Sequence, residues 1–233
     1  MPTIQENLDQ LASTILTLEK KYQRPAHSVS LLAISKGQSL EKMEAAIASG
    51  QRLFGENYVQ EALVKMAALT APKLEWHFTG SIQSNKTRQI AEGFSWVHTV
   101  ATQKVAQRLN DQRPAQLPPL NICLEINVSQ EASKAGLREE AQLHALAEAC
   151  LSLPRLKLRG LMAIPMAKKD FSEQRAEFHH LALLKEKLCQ QGYELDTLSM
   201  GMTDDLEAAI AEGATFIRIG RGIFGSRTPD PAE

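Results

Sequence analysis

Between residues 29 and 219 the chain alternates short apolar or β-branched runs with longer stretches of helical periodicity. The short runs fall at 29–35, 52–55, 74–79, 95–100, 120–128, 156–164, 195–200 and 215–219. Between them lie helical patterns at 40–48, 59–69, 84–91, 104–109, 138–151, 171–189 and 204–211. A helix that follows a strand carries the chain back to the end of the sheet where it started, so successive strands run parallel. Eight such units in 233 residues match the lower size range of a (β/α)8 barrel. An open doubly wound sheet is the alternative. Leu31-Leu32-Ala33-Ile34 is apolar on both faces, as a strand is when helices cover one side and barrel packing fills the other. The expected fold is α/β, a single (β/α)8 TIM barrel over residues 1–227, followed by a frayed tail at 228–233. Ahead of it, Ile4, Leu8, Leu11, Ile15 and Leu18 recur at spacings of four and three. That stripe predicts an extra N-terminal amphipathic helix docked on its own barrel.

Charge and cysteine content narrow the function classes. Lys and Arg total 26 against 27 Asp and Glu, so the chain as a whole offers no attraction to nucleic-acid phosphates or an anionic membrane. No apolar run approaches the roughly 20 residues needed to span a bilayer, and no secretory leader opens the sequence. A soluble, cytoplasmic protein with no nucleic-acid or membrane partner is expected. Cys123, Cys150 and Cys189 are odd in number and far apart. They read as buried thiols rather than a disulfide framework or a metal site.

Chemistry in such barrels gathers where the strands end, because loops from all eight units meet on that rim. Lys36 ends an almost wholly apolar strand. Desolvation there lowers an amine's pKa toward a nucleophilic form able to make a Schiff base, and an ion pair with Glu56 or Glu125 is the structural alternative. At the last strand, Arg218-Ile219-Gly220-Arg221-Gly222-Ile223-Phe224-Gly225 runs into a glycine-rich turn whose backbone N–H groups suit an anion. The spelling G-x-G-x-x-G at 220–225 is not a dinucleotide fingerprint, because that needs a further helix, strand and acidic residue. A phosphate site formed by the loops after barrel strands seven and eight falls in this place. Arg218 and Gly220 share a strand face. A ligand with a phosphate at one end, an aldehyde for Lys36 at the other and a ring nitrogen toward Arg218 is pyridoxal 5'-phosphate (PLP).

Other candidates read as structural. Ser199, at the end of strand seven, offers a hydroxyl to the phosphate, while Asp204 and Glu207 have capping-box spacing. The six histidines show no metal spacing and read as surface side chains, with His77 a hydrogen-bonded strand histidine.

With these residues the chain closely resembles the pyridoxal phosphate homeostasis protein family, also called YggS/PROSC. The resemblance rests on Ala33-Ile34-Ser35-Lys36, Phe54 to Glu61, Trp76-His77-Phe78-Thr79-Gly80 with Gln83-Ser84-Asn85-Lys86, Ile126-Asn127 with Lys134-Ala135-Gly136, Gly160-Leu161-Met162, Met200 to Ile210, and Ile217 to Gly225. It departs at Thr79 and at Ser81-Ile82, where the family usually has Ile and Pro-Leu, and at Thr203, where Ser is common. The resemblance implies a barrel similar to the N-terminal domain of alanine racemase, carrying PLP as an internal aldimine on Lys36. It further implies phosphate contacts from Ser199, beside Met200, and from the Gly220-Arg221 backbone, with Arg218 facing the pyridine nitrogen and Asn57 lining the pocket.

No reaction follows from that resemblance, because alanine racemase draws its opposing tyrosine base from a second domain that this barrel is not expected to carry. An arginine, unlike a carboxylate, does not favour a protonated pyridine nitrogen, which leaves the cofactor a weaker electron sink. The expectation is a monomeric PLP-binding protein that buffers or delivers the cofactor, with apo-PLP enzymes as recipients and effects on amino-acid balance, and without robust catalysis. A PLP-dependent racemase or lyase using Tyr58 or Lys86 as second proton carrier is the alternative.

Overall fold

The computed structural model describes residues 2–131 and 134–225. Eight parallel strands close into a barrel in chain order: β1 (Ser30–Ile34), β2 (Leu53–Glu56), β3 (Glu75–Phe78), β4 (Trp96–Val100), β5 (Leu120–Ile126), β6 (Leu156–Ala163), β7 (Thr197–Ser199) and β8 (Phe216–Ile219). β8 pairs back onto β1 in register from Ser30 opposite Phe216 to Ala33 opposite Ile219. The barrel, rather than the open sheet, is thus the correct alternative. Helices α1 (Ile4–Lys21), α2 (Leu40–Ala48), α3 (Val59–Ala68), α4 (Thr87–Gly93), α5 (Gln103–Gln112), α6 (Glu140–Leu151), α7 (Phe171–Gln190) and α8 (Leu206–Ala211) precede or connect the strands, and α9 (Arg221–Phe224) follows β8. The helix expected at 84–91 begins as a 3-10 turn, Ser84–Lys86. The last glycine turn contains a full helical turn, α9, that glycine-rich sequence did not announce. The expected tail lies outside the described residues.

α1 docks on its own barrel, as its stripe predicts. Thr3 and Glu6 cap its start reciprocally. At its end the buried Glu19 carboxylate accepts the His27 and Val29 backbone N–H groups, fixing the approach to β1. Asn7 Nδ2 donates to the Ile223 carbonyl 2.9 Å away, so the first helix also braces α9 beside the last strand.

The core has two layers. A large apolar layer fills the space between strands and helices. Inside the barrel, Leu32, Trp96, Cys123, Met162 and Phe216 form a smaller one. Glycine is required where β6 meets β7, since a Cβ on Gly160 would fall 1.8 Å from the Thr197 carbonyl oxygen. Gly160→Ala is therefore expected to destabilise the chain by about 1–3 kcal/mol or more, the usual range for overpacking. Gly93→Ala, whose Cβ would meet nothing closer than Met66 Sδ at 3.4 Å, is expected to be neutral or stabilising. Denaturant melts of the two variants beside the parent check the contrast.

Candidate functional site

At the carboxyl ends of the strands lies a cavity of about 230 Å³. Closure of the barrel brings Lys36, two residues beyond β1, to the same cavity as Arg218 of β8 and the Gly220-Arg221 turn. Asn57, following β2, lines the same cavity, and its Oδ1 accepts the Thr79 hydroxyl at 2.9 Å. Thr203 and Asp204 line the cavity too, as do Thr79 and Met202. Thr203 brings a side-chain hydroxyl to the lining. Lys36, Arg218 and Arg221 line the cavity beside one carboxylate, Asp204, a basic lining that suits an anionic ligand.

Ser199 and Met200 do not line that cavity. Ser199 is fully buried beneath it, its Oγ accepting from Arg218 Nη1 at 2.9 Å. Met200 is enclosed in the outer core and donates its N–H to the Phe216 carbonyl. Ser199 therefore supports Arg218 from below. The capping expectation is also corrected. α8 starts at Leu206, after Asp205, whose carboxylate accepts the Met202 N–H at 2.6 Å. Glu207 instead reaches across to Lys21 and the Tyr22 hydroxyl of the α1 end. His77 and His98 are both fully buried inside the barrel, because strand alternation turns them inward, so the surface reading fails for His98. Cys189 is half-buried rather than buried.

The loop bearing Lys36 is held on both sides. Lys65 of α3, a helix lysine that sequence reading passed over, is buried and donates to the Ser35 carbonyl at 2.6 Å. It also pairs with Glu56 at 2.7 Å and with Glu61 at 2.6 Å. Glu61 accepts the Gly37 N–H at 2.6 Å, so both peptide groups flanking Lys36 are tied to one helix. Ser35 Oγ donates to the same Glu56 oxygen. Of the two carboxylates considered as Lys36 partners, Glu56 pairs with Lys65 through Oε1.

Electrostatics at the rim follow from burial. It pushes the Arg218 guanidinium down to about 10, against the pull of Asp205, Cys123 and Glu125, so the group stays charged at neutral pH. The Glu125 carboxyl is pushed up to about 7 by burial, with Arg218 acting in the opposite direction.

The alanine racemase N-terminal domain model matches residues 7–228. Proteins named pyridoxal phosphate homeostasis protein match along nearly their whole length. The one from Pseudomonas aeruginosa is 55% identical over 227 residues, covering 97% of each chain. Its Escherichia coli K12 counterpart is 46% identical over 230 residues, covering 97% of this chain and 98% of its own. The chain belongs to the pyridoxal phosphate homeostasis protein family. PipY of Synechococcus elongatus, solved with PLP bound, is 37% identical and superposes with a TM-score of 0.82, covering 96% of this chain and 100% of PipY. In this member of the pyridoxal phosphate homeostasis family, the rim cavity gathers Lys36, Asn57, Arg218, Gly220 and Arg221.

Two measurements check these assignments. Lys65→Met strips the buried Glu56 of its cation, a change expected to cost about 3–5 kcal/mol in chemical denaturation. Glu125 has a folded pKa above its unfolded one, so the native state binds more protons and stability falls as pH rises from about 4.5 to about 7. Glu125→Gln is expected to flatten that fall and to gain on the order of 2–3 kcal/mol at pH 8, read from denaturant midpoints across pH.

Proposed function

We propose that this chain binds PLP in the rim cavity and serves intracellular PLP homeostasis by holding the cofactor reversibly and passing it to apo-enzymes. The observation that carries the reading is the one cavity lined by Lys36, Arg218 and the Gly220-Arg221 turn together. The family name of the relatives and the PLP bound to PipY support it.

Bound PLP would supply an aldehyde able to exchange between amines. Lys36 is the amine assigned to hold it as a Schiff base, with water leaving as the C=N bond forms and returning on release. The clamp from Lys65 and Glu61 fixes the backbone on either side of that amine. Arg218 faces the ring nitrogen as a charged donor. The first N–H groups of α9 have no acceptor within their helix and, with the Thr203 hydroxyl, are assigned to the phosphate. Asn57, with its Oδ1 engaged by Thr79, lines the ring edge. An arginine at the ring nitrogen favours holding the cofactor over amino-acid turnover, since it does not promote ring protonation.

The purified chain mixed with PLP is expected to develop a visible imine band. Borohydride reduction followed by peptide mapping should place the label on Lys36, and Lys36→Ala should lose the band. A label on another lysine, or a band that survives in Lys36→Ala, would overturn the assignment.

A further inference from the structure

Four polar side chains run through the barrel interior from the amino-terminal mouth to Arg218. Glu75 Oε1 lies 2.9 Å from His77 Nε2. His77 Nδ1 lies 2.9 Å from His98 Nε2, and His98 Nδ1 lies 2.7 Å from Ser199 Oγ. Ser199 Oγ is 2.9 Å from Arg218 Nη1, and Arg218 Nη2 donates to the Ala163 carbonyl at 2.9 Å. Trp96 stacks on His77 at 5.5 Å, and Phe216 packs edge-on against both imidazoles. Within this series it is the Glu75 end that opens to solvent, with 40% of its side chain exposed.

The Glu75 end dictates where every proton sits. A guanidinium can only donate and a carboxylate can only accept. Each neutral imidazole has one donor and one acceptor nitrogen, and burial disfavours the charged form of both histidines. Glu75 must receive a proton from His77 Nε2, which leaves His77 Nδ1 bare. That nitrogen must receive from His98 Nε2–H, which leaves His98 Nδ1 bare. Ser199 must then donate its hydroxyl proton to His98 while accepting from Arg218. The reverse order would set the lone pair of the buried His77 Nε2 against the Glu75 carboxylate at 2.9 Å, two acceptors with no proton between them. The surroundings hold both ends in these states. His77 first, then the Trp96 side chain and Arg159, favour the Glu75 carboxylate, while Asp205, Cys123 and Glu125 face Arg218.

We propose that Glu75, His77, His98 and Ser199 are positioning residues for Arg218. They form a one-way hydrogen-bond chain whose direction is set at the opposite mouth of the barrel and which aims the guanidinium at the ring nitrogen of PLP. The last clause rests on the cofactor reading above; the chain itself does not.

The test uses long-range nitrogen–proton correlation spectra of the full-length protein, without and with PLP, the signals being assigned with His77→Gln and His98→Gln. Both imidazoles are expected as neutral Nε2–H tautomers in the unliganded protein. Either one found as the Nδ1–H tautomer, or doubly protonated, overturns the proposal whether or not PLP binds. Glu75→Leu removes the terminal acceptor. It is expected to release the single tautomer at His98, to shift the visible band of the bound cofactor and to speed PLP loss several-fold. Glu75→Gln, whose amide oxygen can accept the same hydrogen bond, is expected to restore all three. A folded Glu75→Leu that leaves the His98 tautomer and the band unchanged overturns the proposal. Should Glu75→Leu fail to fold, Ser199→Ala takes its place, with a shifted band expected and an unchanged one overturning the positioning role. Loss of PLP binding in the parent would tell against the cofactor reading alone, because the tautomers are read without it.

Discussion

Pairing of β8 with β1 is the constraint on which the rest of the molecule depends. Lys36 follows the first strand and Gly220 the last, so nothing local in sequence brings them together. Four residue pairs of parallel ladder, from Ser30 with Phe216 to Ala33 with Ile219, set both at one rim. The approach is close: a Cβ on Gly220 would stand 3.2 Å from the Ile34 carbonyl oxygen. α1 reinforces the same seam through Asn7 and Ile223 and through its buried Glu19. An N-terminal helix that looks peripheral in sequence thus braces the junction that creates the cavity.

The barrel interior is unusual in being part apolar and part polar. Buried polar groups are destabilising unless each finds a partner. Here two imidazoles, a serine and an arginine satisfy one another in series, while Trp96 and Phe216 fill the remaining space. A fully satisfied network of this kind favours one arrangement, because displacing any member leaves two neighbours without partners. The arginine at the cavity floor is therefore held from beneath as firmly as the lysine loop is held from the side.

Much of the fold was legible because apolar runs and helical periods report directly on burial. All eight strands and the crossover helices appear where the pattern put them, with ends shifted by a few residues. The rim residues Lys36, Asn57, Arg218, Gly220 and Arg221 were legible for a related reason, since strand ends in a closed barrel converge. Ser199 and His98 were not. Which way a strand residue points depends on register, and the ladders shift between Val97 and Val100 and between Ile122 and Cys123. Lys65 was hidden differently: a lysine in an exposed-looking helix gives no sign that acceptors from two other segments enclose it. α8 begins after Asp205 rather than Asp204, and the Asp205 carboxylate is taken by the Met202 N–H instead of capping the helix.

The clamp of Lys65 and Glu61 on the peptides flanking Lys36 has a consequence for exchange. Ordering a flexible loop around a ligand consumes part of the contact energy, and that penalty is absent when folding has already fixed the loop. A ligand entering the cavity would meet a platform already in place, without that ordering cost.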